Sequence, residues 1–281
     1  MTSRFVNLLG GNTHYTEHGN GRHVVLCLHG NSSSADAFAH FSNALPPAFR
    51  LICVDFPGHG RSDGADAYQP FFSFQGLATF VVGLVKALDI EPVAIVGHSM
   101  GGHVAAQLLP HLPSLRALLL ISSPPIAGAA ALPRFFQKNA PTDLIFARTL
   151  DSPQVHALAR AFANADSPIE ALTLIERDIR RTDGVFREVL GVSLNSATVE
   201  DELATVRSAP AVRIALLGGS LDRFIERGYY NWVADELELT PQDALVVDAA
   251  GHYPHLEAPQ VTIDFFGRFL QRIETGTVSH A

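Results

Sequence analysis

The chain has 281 residues, of which 47% are hydrophobic and 17% are charged, and its formal net charge is −8. This composition excludes disordered, collagen-like and low-complexity chains, and the length predicts two domains or one large α/β domain. The acidic balance argues against nucleic acid as a partner. No apolar stretch is long enough for a membrane span, and the N-terminus carries no recognisable secretion signal, so we expect a cytoplasmic protein.

Short apolar runs along the chain predict eight strands. The first two flank a turn at residues 10–12 and predict an antiparallel hairpin. The other six are almost continuously apolar, which is typical of strands covered on both faces in a parallel sheet. The predicted strands span residues 4–9, 13–18, 23–28, 50–54, 92–96, 115–121, 212–217 and 244–247.

The segments between these strands have the periodicity of helices. Residues 74–88 and the C-terminal residues 261–273 carry apolar side chains at steps of three and four, which predicts one buried helical face in each. Strands that alternate with helices through short connections predict an α/β fold with a mostly parallel, doubly wound sheet.

Residues 124–208 interrupt this alternation. Five helices are predicted there, at residues 132–139, 143–149, 153–163, 167–180 and 184–192. Because the segment follows the sixth strand, it would emerge at the carboxyl edge of the sheet, where open α/β sheets bind ligands. We therefore predict an α/β core of residues 1–123 and 209–281, with a helical cap (a lid) of residues 124–208 inserted after strand 6. A packing domain without contact to the site is the alternative.

The sequence Gly97-His98-Ser99-Met100-Gly101-Gly102 follows a predicted strand and precedes a helical run. This is the G-x-S-x-G pattern in its strand–turn–helix context, in which a tight turn exposes the serine hydroxyl. Ser99 is therefore the predicted nucleophile. The backbone N–H groups of Met100, at the helix start, and of Asn31, in the loop after the third strand, are the predicted oxyanion donors.

The loop that contains Asn31 has a second interpretation. Ser33, Ser34 and Asp36 precede or open a helical run, so the loop is also expected to cap that helix. The two roles are compatible.

A serine hydroxyl of ordinary acidity needs a base, and the base needs an orienting carboxylate. His252 lies just past the last strand and is the predicted base, with His255 as the alternative. Asp222 follows the strand at 212–217 and is the predicted carboxylate. Asp248 is nearer to His252 in sequence and is the alternative.

The sequence predicts no metal and no cofactor. It contains no H-E-x-x-H run and no cysteine pair at zinc spacing. His14 and His18 alternate along a predicted strand without a further ligand nearby. The glycine-rich residues 55–62 have no Walker lysine after them, so we interpret them as a structural loop.

Five motifs in order resemble the α/β-hydrolase fold superfamily over roughly residues 23–272. They are HGNSSS at 29–34, DFPGHGRSD at 55–63, GHSMGG at 97–102, the Asp222 loop and GHYPHLEAP at 251–259. The chain order Ser99, Asp222, His252 is that of these hydrolases. SSPPI at 122–126 and RRTDG at 180–184 are similar to the serine-dependent N-acyl-homoserine lactone hydrolases, which are quorum-quenching lactonases. Some of these relatives carry Trp in place of His98.

The resemblance implies a metal-free serine hydrolase that opens the lactone ring of N-acyl-homoserine lactones through an acyl-enzyme. Its expected partner is a small-molecule ester or lactone with an apolar acyl chain, and no signal for an oligomeric state is present. Seven apolar cap residues are candidates to line an acyl channel, and ordinary packing between the cap and the core is the alternative for each: Phe135, Phe136, Leu144, Ile145, Phe146, Leu158 and Phe162. A general carboxylesterase acting on short acyl esters and a ligand receptor that retains the triad are the alternatives, and C–C hydrolysis and perhydrolysis stay open.

Overall fold

The computed structural model describes residues 2–194 and 199–274, so residues 1, 195–198 and 275–281 of the predicted core and cap ranges lie outside it. The described chain forms one eight-stranded sheet in the order β1-β2-β4-β3-β5-β6-β7-β8. The strands are β1 (Thr2–Leu8), β2 (Gly11–Gly19), β3 (His23–Leu28), β4 (Phe49–Val54), β5 (Pro92–His98), β6 (Ala117–Ile121), β7 (Arg213–Gly219) and β8 (Ala244–Val247). All eight predicted strands are confirmed, with bounds that shift by a few residues.

The hairpin of β1 and β2 turns one residue earlier than predicted. Gly11 already pairs with Leu8, so the two-residue turn consists of Leu9 and Gly10, whose φ angles are 53° and 94°. Two left-handed residues give the turn the twist that a tight hairpin requires. β2 also pairs antiparallel with β4, and the remaining neighbours are parallel, which confirms the mostly parallel sheet.

Helices cover both faces of this sheet. The helices are α1 (Ala65–Tyr68), α2 (Phe74–Ala87), α3 (Met100–Gln107), α4 (Leu132–Phe135), α5 (Thr142–Ile145), α6 (Ser152–Phe162), α7 (Ile169–Arg181), α8 (Gly184–Leu194), α9 (Glu202–Arg207), α10 (Arg227–Glu236), α11 (Pro254–Glu257) and α12 (Pro259–Glu274). Alternate residues of β3 enter two separate apolar clusters: Leu26 packs with α2 and α3, and Val25 packs with α12 and the 3₁₀ helix Ala35–Ala44. The sheet is therefore doubly wound, as predicted.

Six helices, α4 to α9, lie between β6 and β7, so most of the described part of residues 124–208 is helical or lies in short turns. We call residues 124–208 the helical segment. α4 ends at Phe135, earlier than predicted, because the extended backbone of Phe136 forms a β-bridge with Ile225 in the loop after β7. This bridge joins the helical segment to the carboxyl edge of the sheet. Its status as a separate cap stays a prediction.

Among the described residues, no single helix is both long and apolar enough to cross a membrane. One bent pair, Ala65–Phe71 with Phe74–Ala87, meets the length and composition requirement only when taken together, and its two parts meet at 108°.

Candidate active site

Ser99 forms the sharp turn between β5 and α3. Its backbone lies in the left-handed region, with φ 49° and ψ −120°, which for a serine stores strain on the order of 1–3 kcal/mol. The N–H of Ser99 donates to the carbonyl of Ile121 at 2.8 Å, which fixes the turn against β6. A Cβ on Gly101 would lie 2.1 Å from the carbonyl oxygen of Leu28, so glycine is required for α3 to approach β3. The turn thereby presents the serine hydroxyl to a cavity.

The structure brings Ser99, His252 and Asp222 into one hydrogen-bonded chain. Nε2 of His252 is 2.9 Å from Oγ of Ser99, and Nδ1 is 2.7 Å from Oδ2 of Asp222. Because a carboxylate only accepts, Nδ1 carries the proton and Nε2 is free to accept from the hydroxyl. Oδ1 of Asp222 accepts the N–H groups of Phe224 at 2.8 Å and Ile225 at 3.2 Å. Both oxygens of the carboxylate are therefore held in place.

The imidazole of His252 is held from several sides. The ring of Phe162 stacks on it at 5.8 Å and 20°, and the ring of Phe224 lies 5.0 Å away. The backbone N–H of His252 donates to the carbonyl of Phe162 at 2.7 Å. Its carbonyl accepts from Nε2 of His98 at 2.9 Å, and burial holds the pKa of His98 well below the usual value. His98 is thus a neutral donor that fixes the backbone of His252.

Neither alternative residue reaches Ser99. His255 is fully buried, its ring stacks on Phe38 and Tyr253, and its ring nitrogens have no hydrogen-bond partner in the described chain. Burial also lowers its pKa well below the usual value. Asp248 is exposed and accepts from the hydroxyl of Ser220 at 3.2 Å. Of the residues considered for the base and the carboxylate, His252 and Asp222 are therefore the two that are hydrogen-bonded in line with Ser99.

The predicted oxyanion donors lie beside the serine. Asn31 and Met100 are both buried and both line the cavity. A Cβ on Gly30 would lie 3.1 Å from Cβ of Ser99, so this loop passes directly next to the nucleophile position. In the described chain, the N–H groups of Asn31 and Met100 have no acceptor. Two free N–H donors next to a hydroxyl are what a developing oxyanion requires. The side chain of Asn31 donates to the carbonyl of Ile145 at 3.1 Å instead.

The loop places Ser34 at the N-cap position of the helix Ala35–Ala44, but the hydroxyl of Ser34 makes no capping bond. The N–H of Ala35 donates to Oδ1 of Asp55 at 2.7 Å, so the aspartate of the glycine-rich loop caps this helix. The hydroxyl of Ser34 donates to Oδ2 of Asp178, on α7, at 2.7 Å. The loop that contains Asn31 and Ser34 is therefore bonded to the helical segment.

Asp55 also fixes the glycine-rich loop and connects it to His14 on β2. Its Oδ2 lies 2.6 Å from Nδ1 of His14 and accepts the N–H of Arg61 at 2.9 Å. Hydrogen bonding to His14 and backbone N–H groups keeps the pKa of Asp55 below the usual value despite its burial. Among the described residues, no group of three or more His, Cys, Asp or Glu side chains is arranged to hold a metal ion.

The cavity in front of Ser99 is small, with a volume of about 50 Å³. It is lined by Asn31, Phe74, Ser99, Met100, His103, Ile126, Phe135, Phe136, Ile145, Phe146, Leu190, Leu194, Phe224, Ile225 and His252. Four of the seven predicted channel residues are among them, namely Phe135, Phe136, Ile145 and Phe146. Most of the lining is apolar, as is usual for small-molecule sites.

The other three predicted channel residues do not line this cavity. Leu158 and Phe162 are fully buried on α6, where they belong to the main apolar cluster, and Phe162 instead supports His252. Leu144 lies on α5 outside the cavity. Sequence reasoning missed Phe74, and the periodicity of α2 marked it only as part of a buried face. Ile126, in the SSPPI motif, had the clearest signal among the lining residues that were missed.

Curated relatives match different shares of the chain. A 2-hydroxy-6-oxononadienedioate/2-hydroxy-6-oxononatrienedioate hydrolase of Pseudomonas putida is 36% identical over 112 residues, which make up 37% of this chain and 39% of that protein. The chain therefore aligns with about two fifths of this relative's length. A serine hydrolase-like protein of Danio rerio is 26% identical over 269 residues, covering 88% of this chain and 81% of that protein.

Solved structures of the N-acyl homoserine lactonase AidH match the whole chain. Its complex with N-butanoyl homoserine has a TM-score of 0.85 at 25% identity and covers 100% of both chains. A mutant complexed with N-hexanoyl homoserine lactone has a TM-score of 0.82 at 25% identity and covers 97% of this chain and 98% of the other. The predicted resemblance to these lactonases is therefore confirmed as a likeness of structure.

The family model covers most of the sequence. The model described as the alpha/beta hydrolase family matches residues 25–265, a range that includes Ser99, Asp222 and His252. The sheet order and the strand–turn–helix at Ser99 agree with this match. The chain therefore belongs to the alpha/beta hydrolase family.

Proposed function

We propose that this protein is a metal-free serine hydrolase that opens the lactone ring of N-acyl-homoserine lactones. The observation that carries the proposal is the hydrogen-bonded chain Ser99–His252–Asp222, which opens onto a cavity with largely apolar walls. The full-length likeness to a lactonase that binds N-butanoyl homoserine supports the substrate class. An apolar acyl chain would bury its surface against these walls.

Acylation follows from the positions of three side chains. Nε2 of His252 takes the hydroxyl proton as Oγ of Ser99 bonds to the lactone carbonyl carbon, and the carbonyl electron pair moves onto oxygen. The N–H groups of Asn31 and Met100 donate to this oxyanion. When the carbonyl reforms, the ring C–O bond breaks and the leaving alkoxide takes the proton from His252. Asp222 holds the imidazole in the tautomer that both transfers require.

Deacylation reverses the roles with water. His252 takes a proton from a water molecule, whose oxygen attacks the ester carbon of the acyl-enzyme. The bond to Oγ of Ser99 then breaks, and the serine recovers its proton from His252. Overall, one lactone and one water give one N-acyl-homoserine. The hydroxyl released in the first step remains part of the same molecule, so no product leaves before the second step.

The lining of the cavity favours an apolar acyl group over a dicarboxylate. The name of the Pseudomonas putida relative describes a dioate, whose two carboxylates would need cationic partners. None of the described lining residues is Lys or Arg. A general carboxylesterase acting on short acyl esters is the second candidate, because the contact between Ser99 and His252 suits attack on any ester carbonyl.

Three further assignments belong to this proposal. The helical segment acts as the cap over the site, supported by the seven side chains that it contributes to the cavity. Ring opening would inactivate a quorum-sensing signal, so the biological role is quorum quenching. The cytoplasm remains the predicted location.

A substrate panel tests the proposal. The purified full chain is incubated with N-butanoyl- and N-hexanoyl-homoserine lactones and with linear esters of the same acyl groups, with Ser99→Ala as the blank. Ring opening is read as proton release and as a mass gain of one water, and we expect multiple turnovers on the lactones. Rapid turnover of p-nitrophenyl acetate without ring opening would instead establish the carboxylesterase. Near single turnover with a ligand-induced change in the helical segment would point to a receptor.

A further inference from the structure

A second histidine–carboxylate pair lies at the same cavity. His103 is on α3, four residues after Ser99, and its ring lines the cavity. Nδ1 of His103 is 2.8 Å from Oε2 of Glu202, and both side chains are buried. The steps of the proposed ring opening leave this pair without a role.

Glu202 is held rigidly for this contact. It is the first residue of α9, and its Oε2 also accepts the N–H of Ile126 at 3.1 Å. Its own N–H donates to the carbonyl of Ile126 at 2.8 Å. Burying a carboxylate costs several kcal/mol unless it is paired and hydrogen-bonded, and an apolar side chain would fill this space at lower cost. A pair that serves only to pack α3 against α9 is therefore an expensive arrangement.

The contact with Glu202 determines what His103 offers to the cavity. The carboxylate can only accept, so Nδ1 of His103 carries a proton. In the neutral ring, Nε2 then presents a lone pair. Within residues 2–194 and 199–274, Nε2 has no hydrogen-bond partner, and the rings of Phe74 and Phe135 stand edge-on to the imidazole at 5.9 Å and 5.5 Å. Nε2 is therefore an acceptor in an otherwise apolar part of the wall.

This acceptor lies one helical turn from the nucleophile. The N–H of His103 donates to the carbonyl of Ser99 at 3.2 Å, as in the first turn of a helix. Ser99 and His103 line the same cavity. A substrate with its lactone carbonyl at Ser99 thus places its neighbouring ring carbon in the cavity that His103 lines. In N-acyl-homoserine lactones, that carbon bears the amide N–H.

We propose that Nε2 of His103 accepts a hydrogen bond from the amide N–H of the substrate, and that Glu202 is the positioning residue that keeps this nitrogen an acceptor. The pair then selects substrates with a donor next to the scissile carbonyl. This inference rests on the proposed lactonase activity and adds the recognition of the amide group. A buried acceptor left unpaired by an analogue without the donor lowers the rate on that analogue.

A pair of substrates isolates this hydrogen bond. N-hexanoyl-homoserine lactone is compared with the analogue in which a methylene replaces the amide N–H, so that ring, acyl chain and carbonyls are kept. The wild type should prefer the amide by about tenfold or more in kcat/KM. His103→Phe, which keeps a ring of similar size, should reduce that preference to about twofold while changing the rate on the analogue by less than about threefold.

Glu202→Gln provides the second arm. The side-chain amide of glutamine can donate to Nδ1 of His103, which moves the ring proton to Nε2 and replaces the acceptor with a donor. The amide preference should fall in this variant as well. His111→Phe, an exposed histidine-to-phenylalanine change at the end of the same helical region, should keep the wild-type preference.

The outcomes separate the two proposals. An equal loss on both substrates in His103→Phe and Glu202→Gln would mean that the pair only packs, and an unchanged preference would also overturn the inference. If His103→Phe does not fold, the role of His103 is still tested by the preference of the wild type for the amide substrate and by the change of that preference in Glu202→Gln. A wild type that opens both lactones at equal rates contradicts the role of His103 alone, whereas one that opens neither contradicts the lactonase proposal.

Discussion

The two walls of the cavity at Ser99 differ in their chemistry. The α/β core supplies all the polar side chains among the described lining residues: Asn31, Ser99, His103 and His252. The helical segment supplies seven, and all of them are apolar: Ile126, Phe135, Phe136, Ile145, Phe146, Leu190 and Leu194. In terms of the proposed function, this difference assigns the reaction to the ends of the parallel strands and the fit of the substrate to the packing of the helices above them.

The strongest test of the core wall removes the proposed nucleophile or the proposed base. Ser99→Ala and His252→Ala should each lower kcat on the preferred lactone or ester by several orders of magnitude, up to about 10⁶-fold, because such groups act as a unit. The melting temperature of Ser99→Ala should change little, since the hydroxyl faces the cavity, whereas His252→Ala also loses the buried ring contacts with Phe162 and Phe224 and should melt at a lower temperature. Steady-state rates corrected for the blank give the comparison.

A matched histidine control accompanies this test. His156 is exposed on α6 and pairs only with side chains near the surface, so His156→Ala should keep the wild-type kcat. If His252→Ala remained near the wild-type rate while His255→Ala lost activity, the assignment of the base would be wrong.

Asp222, the carboxylate that holds the imidazole of His252, gives the next largest effect. Asp222→Asn keeps the volume of the side chain but can donate to Nδ1 of His252, which favours the wrong tautomer for accepting the serine proton. A loss of about 10³–10⁴-fold in kcat is expected. Asp248→Asn is the paired control and should retain wild-type kinetics. Similar losses in both variants would argue that charge near the strand ends, rather than the contact with His252, is what matters.

The core wall could be predicted from sequence because each of its parts is a local pattern at a strand end. Asn31 follows β3, Ser99 and Met100 follow β5, and His252 follows β8. The carboxyl ends of parallel strands share one edge, so recognising the strands was enough to predict which side chains meet. The structure brings these residues together, and their catalytic roles stay predictions.

The helical wall could be predicted only in part. Helical periodicity indicates which side chains are buried, and it does not indicate what they are buried against. Phe162 has the apolar aromatic side chain expected of a channel residue, yet its ring stacks on the imidazole of His252. Phe74 was visible only as part of an amphipathic helix, and the pairing of His103 with Glu202 spans 99 residues of sequence. Such contacts depend on how the segment folds back over the sheet.

The contact between the α/β core and the helical segment at Ser34 and Asp178 contributes to stability in a pH-dependent way. Burial raises the pKa of Asp178 on α7 to about 6, and the nearby charge of Asp36 adds to this rise, although hydrogen bonds from Ser34 and Arg177 oppose it. Tyr253 also interacts with the charge of Asp178. A carboxyl group with a raised pKa in the folded state binds its proton more tightly there than in the unfolded chain. Its contribution to stability therefore increases as the pH falls through about 6, the reverse of an ordinary ion-paired aspartate.

Asp178→Asn should remove this dependence. The free energy of unfolding of the wild type, minus that of the variant, is expected to rise by on the order of 2 kcal/mol between pH 8 and pH 4.5. Urea unfolding at both pH values measures it, with the exposed Asp166→Asn as a control whose difference stays flat. A difference that falls on acidification would mean that the ion pair with Arg177 outweighs the cost of burial.

The smallest expected effect concerns the helical wall alone. Phe136 lines both the cavity at Ser99 and a neighbouring surface cleft, together with Phe146 and Leu194. Phe136→Ala should open the partition between these spaces, so that a longer acyl chain can bury two or so further methylene groups at about 0.8 kcal/mol each. The ratio of kcat/KM for dodecanoyl over butanoyl substrates should then rise about tenfold. Leu144→Ala, outside the cavity, should leave it unchanged. Equal changes at both chain lengths would indicate that this wall affects the core chemistry, and the division between the two walls would not hold.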